Sequence, residues 1–454
     1  MTKNTLKKNT LKTTTKNKLS LKGGTYLGSG SYGCVITPPL PCKTSHLSKN
    51  SFTNKNKKNK NRYVSKIIKY SDEDSKHELT ISSKIKKIDP LQNYFITYES
   101  VCQITKVPNN RKNTKHIEYK DNSFTKYDII NKNRLIKKPK YYIDNDDNDD
   151  EDDKDDKKNK KKCLIDTRLK PMNIIMPYGG YDLFDLKFNI YDMSKEYKLL
   201  HTQKSIDFIK TYSMISQNFK SCFKHLAIGL YKLHKARIVN CDIKQENIMA
   251  LYNTKTKKVD IKYIDFGFSE HLTPEYCKHY SNIKPFGTTI LLPPEILITE
   301  IIYKTIYKSR HHINIKNIIN NIKNSIDENV KEMLLSLKEI EYINYLYNIH
   351  TDASTNKNLP IIETLYNEII NHFNNKTILD AYFGLHNVGT LNGYLQKADV
   401  YSLGCTIYEF LYIKYKIIDV KNNIKLHNLL KQMIHPNPNK RFNILECLNH
   451  PYFK

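Results

Sequence analysis

A glycine-rich segment near the start of the chain constrains its fold more than any other feature. Residues 28–35 read GSGSYGCV and space three glycines as GxGxxG between the apolar residues Leu27 and Val35. This spacing is typical of two structures: a strand that turns into a helix at a dinucleotide, and two strands that form a flap over nucleotide phosphates. Cys34, Val35 and Ile36, followed by a proline cluster, suit a second strand and not the start of a helix. The segment therefore predicts two strands joined by a tight turn.

Long polar stretches interrupt the rest of the chain. Residues 1–22 form a basic tail, and residues 38–62 are rich in Lys and Asn. A second polar stretch, at about 106–162, contains the acidic run DNDDNDDEDDKDD followed directly by KKNKKK. Blocks of like charge repel each other and stay solvated. We therefore expect a disordered tail and two disordered insertions.

The net charge of +28 over 454 residues would attract nucleic acid or an anionic membrane. The chain also lacks Trp and is rich in Lys, Asn, Ile and Tyr, as expected for an AT-rich genome. The basic charge then follows from codon usage, and no aromatic-interleaved basic stripe or nucleic-acid-binding motif accompanies it. We expect no specific nucleic-acid interface.

The cysteines and the hydropathy pattern predict an intracellular protein. The nine cysteines are scattered singly, without a CxxC pair, which favours a reducing compartment. The first residues lack the apolar core of a secretory signal, and no window has the roughly 18 apolar residues that a membrane-spanning helix needs. We expect a cytoplasmic protein with no membrane span.

Residues 63–68, YVSKII, predict a short strand that carries Lys66 among apolar neighbours. The spacing of Glu78, Ile81, Ile85 and Ile88 predicts a helix whose apolar face carries the glutamate inward. A buried lysine needs a counter-charge, and a glutamate on a packed helix supplies one. On this pattern alone, a solvated Glu78 fits equally well.

A longer amphipathic helix is predicted from apolar residues that recur every three or four positions. These are Phe219, Phe223, Leu226, Leu230 and Leu233. A second helix is predicted after the capping box of Ser325 and Glu328, and a third over residues 362–373.

Charged motifs follow the long helix in a fixed order. They are Asp242, Lys244 and Asn247 in NCDIKQEN, Asp265 in IDFGF, Glu295 in LLPPE, Asp399 in KADVYSLG, and Arg441 in NPNKRF. Together with the glycine-rich segment, Lys66 and Glu78, these motifs resemble those of eukaryotic-type protein kinases. Lys244 resembles the lysine of the Ser/Thr group in that superfamily.

The resemblance implies an α+β, bilobal protein kinase-like fold. A small β-rich N-lobe would span residues 23–178, with the polar insertions at about 38–62 and 106–162, and a large, mainly helical C-lobe would span residues 179–454. A helical insertion at about 300–392 has no counterpart in the family; it would either pack on the C-lobe as a structural addition or bind a docking partner. Asn- and Lys-rich chains of this kind resemble kinases of large DNA viruses or AT-rich protists, and a viral kinase would act in the host cytoplasm.

The resemblance also implies the chemistry of the site. Phosphoryl transfer requires positioned phosphates, a neutralising metal and a carboxylate that orients the attacking hydroxyl. By resemblance, Asp242 accepts the proton of the substrate hydroxyl and Lys244 steadies the transferred phosphoryl group. Asp265 and Asn247 would ligate Mg2+ or Mn2+.

ATP would be bound by a larger set of residues. The set implied by the family is Leu27, Gly28, Ser29, Gly30, Ser31, Tyr32, Gly33, Val35, Lys66, Met176, Pro177, Gly179 and Met249. Lys66 would contact the α and β phosphates, held by Glu78. Met176 would be the gatekeeper, Pro177 would offer its carbonyl to adenine, and Gly179 its amide. Val35 and Met249, with Ser65 in the place of the usual alanine, would enclose the base.

Further residues would support this site. By resemblance, Thr288 contacts the catalytic aspartate and lysine, Glu295 and Arg441 form a buried ion pair, and Asp399 belongs to the same supporting set. Three residues depart from the family pattern: Asn240 and Cys241 stand for the usual His-Arg pair, and Ser82 stands for an apolar residue of the helix that carries Glu78.

The function implied is ATP-dependent phosphorylation of Ser and Thr hydroxyls in proteins. The alternative is an ATP-binding pseudokinase that acts as a scaffold through its helical insertion. Because Cys241 replaces the arginine that binds an activation-segment phosphate in many kinases, we also expect an enzyme that phosphorylation of that segment does not switch on.

Overall fold

A computed structural model gives the fold of the protein. It describes residues 25–30, 33–37, 39–40, 63–68, 73–103, 116–120, 162–166, 171–186, 203–273, 291, 293, 296, 388–412, 423–435 and 438–454. The two helices predicted after residue 325 lie outside these ranges, as do Ser31, Tyr32, Thr288 and Glu295. The chain divides into two compact units, one from residues 1–71 and 99–176 and the other from residues 72–98 and 177–454.

The first unit is built on a five-stranded sheet. Its strands are β1 (Thr25–Gly30), β2 (Gly33–Thr37), β3 (Tyr63–Ile68), β4 (Ser100–Gln103) and β7 (Met172–Pro177), in the order β1-β2-β3-β7-β4. Residues 172–175 of β7 are all buried, and because successive side chains point to opposite faces, both faces of the sheet are covered at this strand. The pairs β1/β2, β2/β3 and β4/β7 are antiparallel.

The glycine-rich segment forms the predicted hairpin. Strands β1 and β2 pair antiparallel with Gly30 opposite Gly33, and the register shifts between Tyr26 and Gly28. The chain after the third glycine continues as a strand, so the choice of two strands over a strand and a helix is confirmed.

A second hairpin corrects the expectation of a disordered insertion at 106–162. Within it, β5 (His116–Lys120) pairs antiparallel with β6 (Lys162–Asp166), with Lys120 opposite Lys162. The predicted insertion therefore contains a strand that is part of the first unit. The composition of the flanking residues hid it, because a five-residue strand leaves little signal among polar neighbours.

The second unit contains most of the helices. Its elements are α1 (Glu73–Ile88), β8 (Tyr181–Asp182), α2 (Gln203–Gln217), α3 (Phe219–Lys235), β9 (Ile238–Val239), a 3-10 turn (Gln245–Asn247), β10 (Ile248–Asn253), β11 (Lys258–Tyr263), β12 (Glu270–His271), α4 (Val388–Tyr412), α5 (Ile424–Met433) and α6 (Ile444–Asn449). Strands β11, β10 and β8 form one small sheet, and β12 and β9 form another.

The core of the second unit is formed by α3 together with α4, α5 and α6. All five residues of the predicted apolar face of α3 are buried, so that helix is confirmed. Helix α4 is buried nearly all round over its second half, where Val400, Leu403, Cys405, Tyr408 and Leu411 are completely enclosed. Each of the buried Val and Leu side chains contributes about 1.5–3 kcal/mol by leaving water. This packing fixes the position of α4 and therefore of Asp399, the charged residue that directly precedes Val400.

Arg441 is held inside the second unit and is 1% exposed. Its Nε donates to the carbonyl of His435 at 2.8 Å and its Nη1 to that of Lys397 at 3.2 Å. The guanidinium also lies 4.8 Å from the ring centroid of Tyr401. Since Glu295 lies outside the described residues, its ion pair with Arg441 stays a prediction.

The cysteines differ from expectation in the first unit. Cys222, Cys241, Cys405 and Cys447 do not form disulfides. Cys34 and Cys102 each belong to a disulfide. The cysteine pattern therefore no longer supports a reducing compartment. Separately, none of the helices in the described ranges is long and apolar enough to cross a membrane.

The register of the β5/β6 hairpin makes a first prediction. Because Lys120 lies opposite Lys162, a two-residue Asn-Gly turn can connect them in place of residues 121–161. We expect this replacement to change the melting temperature by less than about 3 °C, since closure entropy depends only weakly on loop length.

Thermal unfolding followed by circular dichroism measures the effect. The matched control deletes residues 116–166, which removes both strands, and should lower the melting temperature clearly more. If the short-turn variant is as unstable as this control, residues 121–161 contribute to the fold.

Candidate active site

The loop between β9 and β10 brings three predicted residues together. The carboxylate of Asp242 accepts a hydrogen bond from Asn247 Nδ2 at 2.7 Å, and Lys244 Nζ lies 3.0 Å from the same oxygen, Oδ2. Asn247 Nδ2 also donates to the backbone carbonyl of Asp242 at 2.9 Å. Asp242 is 7% exposed. An amide and an ammonium group thus orient one carboxylate at the edge of the unit.

Asp399 of helix α4 holds the preceding part of this loop. Its Oδ2 accepts a hydrogen bond from the backbone amide of Asn240 at 2.7 Å, and its Oδ1 accepts one from that of Cys241 at 2.9 Å. His234 Nε2, at the end of α3, lies 3.0 Å from Oδ2. Asp399 is 2% exposed, so the three donors take the place of water around a buried charge. Cys241 adopts a φ of +64°, which the two backbone bonds hold against its intrinsic cost.

Asp265 follows the neighbouring strand β11. Ile248 pairs with Tyr263, and the amide of Ile264 donates to the carbonyl of Asn247 at 2.9 Å, which places Asp265 beside the end of the loop that carries Asp242. Asp265 has a φ of +57° and an exposed side chain.

The residue after Asp265 anchors this turn. Phe266 is 1% exposed and meets the ring of Phe95 edge-on, with centroids 6.0 Å apart. Burial of the phenylalanine and exposure of the carboxylate are therefore fixed by the same turn.

The donor set of Asp265 and Asn247 suits a hard divalent cation. Magnesium prefers carboxylate and amide oxygens and keeps several ligand positions for water and phosphate. Asn247 uses its amide nitrogen on Asp242, so its amide oxygen is the atom that a metal would take. Across the described ranges, no group of three or more His, Cys, Asp or Glu residues is arranged to hold a metal by itself. A metal at Asp265 and Asn247 would thus need phosphate or water as further ligands.

The glycines after β7 lie directly against β10. A Cβ atom on Gly179 would come 2.7 Å from Ile96 Cδ1 and 2.9 Å from Met249 Cβ. Gly180 has a φ of +96°, and a Cβ atom there would collide with the carbonyl oxygen of Ala250. Neither Gly179 nor Gly180 has room for a side chain. The backbone at Gly179 can therefore lie close to Met249, the residue expected on one side of the adenine.

In the first unit, the strand register corrects one expectation about the base pocket. Val35 pairs with Lys66, and Ile36 pairs with Ser65. Paired residues share a face of the sheet and successive residues alternate, so Ser65 lies on the face opposite to Val35 and Lys66. Its hydroxyl accepts a hydrogen bond from the amide of Leu40 at 2.8 Å. The prediction that Ser65 encloses the base is therefore wrong, and Val64 shares the face of Lys66.

Helix α1 buries Glu78, which is 8% exposed and lies beside the buried residues Ile81, Ser82 and Ile85. The inward glutamate is thus confirmed over the solvated one. In the first unit, the side chain of Leu27 on β1 is 41% exposed.

Helix α1 also contacts the segment that follows Asp265. His77 Nε2 lies 2.9 Å from the carbonyl oxygen of Ser269, and Lys84 Nζ lies 2.8 Å from His271 Nδ1. The segment that follows Asp265 is therefore attached to α1 by the side chains of His77 and Lys84.

Sequence reasoning missed Asp182. It lies in β8 opposite Met249, and its Oδ1 accepts a hydrogen bond from the amide of Asp185 at 2.6 Å. Burial, with the charges of Asp185 and Glu246 nearby, raises the pKa of Asp182 to about 7. No residue type or spacing in GGYDLF signals this shift of the pKa, because it depends mainly on the burial of the carboxyl group, which the local sequence does not show.

Comparison with known proteins points to one family. The family model described as "Protein kinase domain" matches residues 142–333. This range includes Asp242, Asn247 and Asp265, but neither Lys66 nor Asp399. A probable serine/threonine-protein kinase of Dictyostelium discoideum, ireA, is 28% identical over 157 residues, which cover 28% of this chain. The match spans 16% of the length of that relative.

The raised pKa of Asp182 predicts how stability depends on pH. The folded protein retains the Asp182 proton up to about pH 7, whereas the ordinary pKa of this group is 3.8. Its contribution to stability is therefore complete below about pH 4 and is lost as the pH rises through about 7. Asp182→Asn keeps the acceptor for the Asp185 amide and removes the charge. We expect this variant to melt at least about 2 °C above wild type at pH 8, with the difference shrinking toward pH 5.

Melting temperatures of both proteins between pH 5 and 8.5 measure this difference. Asp185→Asn is the matched control: it removes one neighbouring charge but leaves the Asp182 carboxyl, so it should give a smaller effect of the same sign. A difference between wild type and Asp182→Asn that stays constant over this range would contradict the assignment.

Proposed function

Because the chain belongs to the eukaryotic-type protein kinase superfamily, we propose that it transfers the γ-phosphoryl group of ATP to Ser or Thr hydroxyls of proteins. The observation that carries the proposal is the contact of the Asp242 carboxylate with both Lys244 and Asn247. A carboxylate that is oriented by an amide and an ammonium group can hold a substrate hydroxyl in line with a phosphate.

In the proposed reaction, the substrate hydroxyl donates its proton to Asp242 while its oxygen attacks the γ phosphorus. The bond from that phosphorus to the β–γ bridging oxygen breaks, and ADP leaves. Lys244 lies next to Asp242, so its ammonium can neutralise charge on the transferred oxygens. Lys66 would bind the α and β phosphates, with Glu78 as its counter-charge. The glycine-rich hairpin would cover the phosphates, because its glycines allow the backbone to approach them closely.

Asp265 and Asn247 would hold Mg2+ or Mn2+. The metal, when bound, supplies positive charge that stabilises the phosphates during transfer. Adenine would be held by the carbonyl of Pro177 and the amide of Gly179, with Met176 as gatekeeper and with Val35, Val64 and Met249 around the ring. The close approach of Gly179 to Met249 supports this part of the proposal.

Ser/Thr specificity is proposed from Lys244, two residues after Asp242, and from the name of the Dictyostelium relative, which describes it as a probable serine/threonine kinase. Protein substrates are implied by the kinase domain. We further propose a docking partner for the insertion at about 300–392. A cytoplasmic location stays a prediction, and the disulfides of Cys34 and Cys102 remove the cysteine pattern as its support.

The second candidate function is a pseudokinase that binds ATP and acts as a scaffold. Asn240, Cys241 and Ser82 favour it, since these residues differ from the family pattern in positions that support the active conformation. The groups that would touch ATP, metal and hydroxyl favour the enzyme. Phosphate transfer separates the two functions, because both would bind nucleotide.

Transfer of radiolabelled γ-phosphate to a generic protein such as casein, with Mg2+ or Mn2+, tests the enzyme. We expect measurable transfer by wild type and a loss of at least about 100-fold in Asp242→Asn, Lys66→Ala and Asp265→Ala. All three variants should unfold within a few degrees of wild type, because these residues act on ligands. Asp260→Asn, an exposed change on strand β11, which precedes Asp265, is the control and should keep wild-type activity. Nucleotide binding without transfer by wild type would instead establish the pseudokinase.

A further prediction concerns control by phosphorylation. Burial and the carboxylates of Asp399, Glu270 and Asp242 raise the pKa of the Cys241 thiol, so this residue is neutral near pH 7 and does not attract a phosphate. Removing phosphate from the activation segment with a broad phosphatase, verified by mass spectrometry, should change the transfer rate by no more than about twofold. A fall of about 100-fold would show that another cation has taken the role of the missing arginine.

A further inference from the structure

We propose that Asn240, held by Ser269, is a positioning residue for Asp242. The inference rests on the proposed kinase function, because it concerns the carboxylate that would accept the hydroxyl proton. It assigns a role to one of the residues in which this chain departs from the family pattern.

The side chain of Asn240 folds back onto the loop that it precedes. Its Oδ1 accepts a hydrogen bond from the backbone amide of Asp242 at 3.1 Å, and the residue is 2% exposed. An amide oxygen that binds the backbone two residues ahead forms an Asx turn, which fixes the peptide orientation across that turn. The left-handed φ of Cys241, +64°, accompanies this turn. A shorter apolar side chain at position 240 could not make this bond.

The backbone of Asn240 is held on both sides. Its amide donates to Asp399 at 2.7 Å, and its carbonyl accepts a hydrogen bond from Ser269 Oγ at 3.0 Å. The amide nitrogen, the carbonyl oxygen and the Oδ1 atom of Asn240 therefore each form a hydrogen bond. Ser269 is completely buried, so no water competes for its hydroxyl.

Ser269 also belongs to the turn that carries Asp265. Its amide donates to the carbonyl of Phe266 at 3.1 Å, and its carbonyl lies 2.9 Å from His77 Nε2 of helix α1. The hydroxyl of Ser269 thus links the loop of Asp242 to the turn of Asp265. The proposed proton acceptor and the proposed metal ligand are set relative to each other by this hydrogen bond and by the pairing of Ile264 with Asn247.

The role is positional because Asn240 contacts the amide of Asp242 and not its carboxylate. Rotation of that peptide would move the carboxylate away from its alignment, and a displacement of about 1 Å near reacting atoms can cost about 100-fold in rate. The effect should appear in the chemical step and leave ATP binding nearly unchanged.

Three variants and one control test the proposal. Asn240→Ala removes the Asx bond, Asn240→Ser replaces it with the weaker hydroxyl bond, and Ser269→Ala removes the link to the Asn240 carbonyl. The control is Thr211→Val: Thr211 is fully buried in helix α2, and its Oγ1 accepts a hydrogen bond from the amide of Tyr252 at 3.1 Å and donates one to the carbonyl of Asp207 at 2.7 Å, so neither bond involves residues 240–247. It loses a bond of the same kind without touching the site.

We expect kcat to fall about 30-fold or more in Asn240→Ala, less in Ser269→Ala, and least in Asn240→Ser, with the KM for ATP within about threefold in all of them. Thr211→Val should lose stability but keep the wild-type kcat. Amide hydrogen exchange by NMR gives a readout without activity: the Asp242 amide should exchange at least about tenfold faster in Asn240→Ala, while the Cys241 amide, bound to Asp399, stays protected.

Each outcome decides a separate question. An unchanged kcat in Asn240→Ala, or a loss equal to that in Thr211→Val, would overturn the positioning role. An unchanged exchange rate at Asp242 would overturn the Asx turn itself. If wild type transfers no more phosphate than Asp242→Asn, the proposed function fails, and the exchange rate alone then decides whether Asn240 holds Asp242.

Discussion

The buried carboxylate of Asp399 is the interaction on which the second unit's site depends. It accepts hydrogen bonds from two successive backbone amides of the catalytic loop and lies against His234, all within 3.0 Å. Burying an unpaired carboxylate would cost several kcal/mol, whereas hydrogen bonds to a charged group each contribute about 1.5–3 kcal/mol. The loop therefore has one favourable position, and the packing of α4 determines where that position is.

Contacts within the chain hold the loop of Asp242 and the turn of Asp265, and one of them is made by Asn240, which departs from the family pattern. Asn240 and Ser269 hold the catalytic loop through hydrogen bonds, while Phe266 packs on Phe95 within the core. His77 attaches the same segment to α1. The loop of Asp242 and the turn of Asp265 are thus held by the buried Asp399 carboxylate together with neutral hydrogen-bonding groups of the same chain.

The sequence predicts those features that depend on residues close together in the chain. It misses those that depend on residues far apart in the chain. The hairpin at Gly30 and Gly33 and the apolar face of α3 follow from local spacing, and the structure contains both. Strand β5 was missed because its partner begins more than 40 residues later, beyond any local pattern. The prediction for Ser65 is wrong because it follows from the family pattern, in which alanine is usual, whereas strand alternation decides which face the residue is on. Asp182 was missed because its pKa depends on burial and on a distant charge.

The measurement that tests the account most directly is the kcat of Asp399→Asn. The variant keeps the size of the side chain but replaces one acceptor oxygen with a donor, so it can no longer bind both loop amides. We predict a fall in kcat of at least about 100-fold, or about 2.7 kcal/mol of barrier, with cooperative unfolding and nucleotide affinity retained. A folded variant whose kcat stays within about threefold of wild type would contradict the claim that this carboxylate sets the position of Asp242.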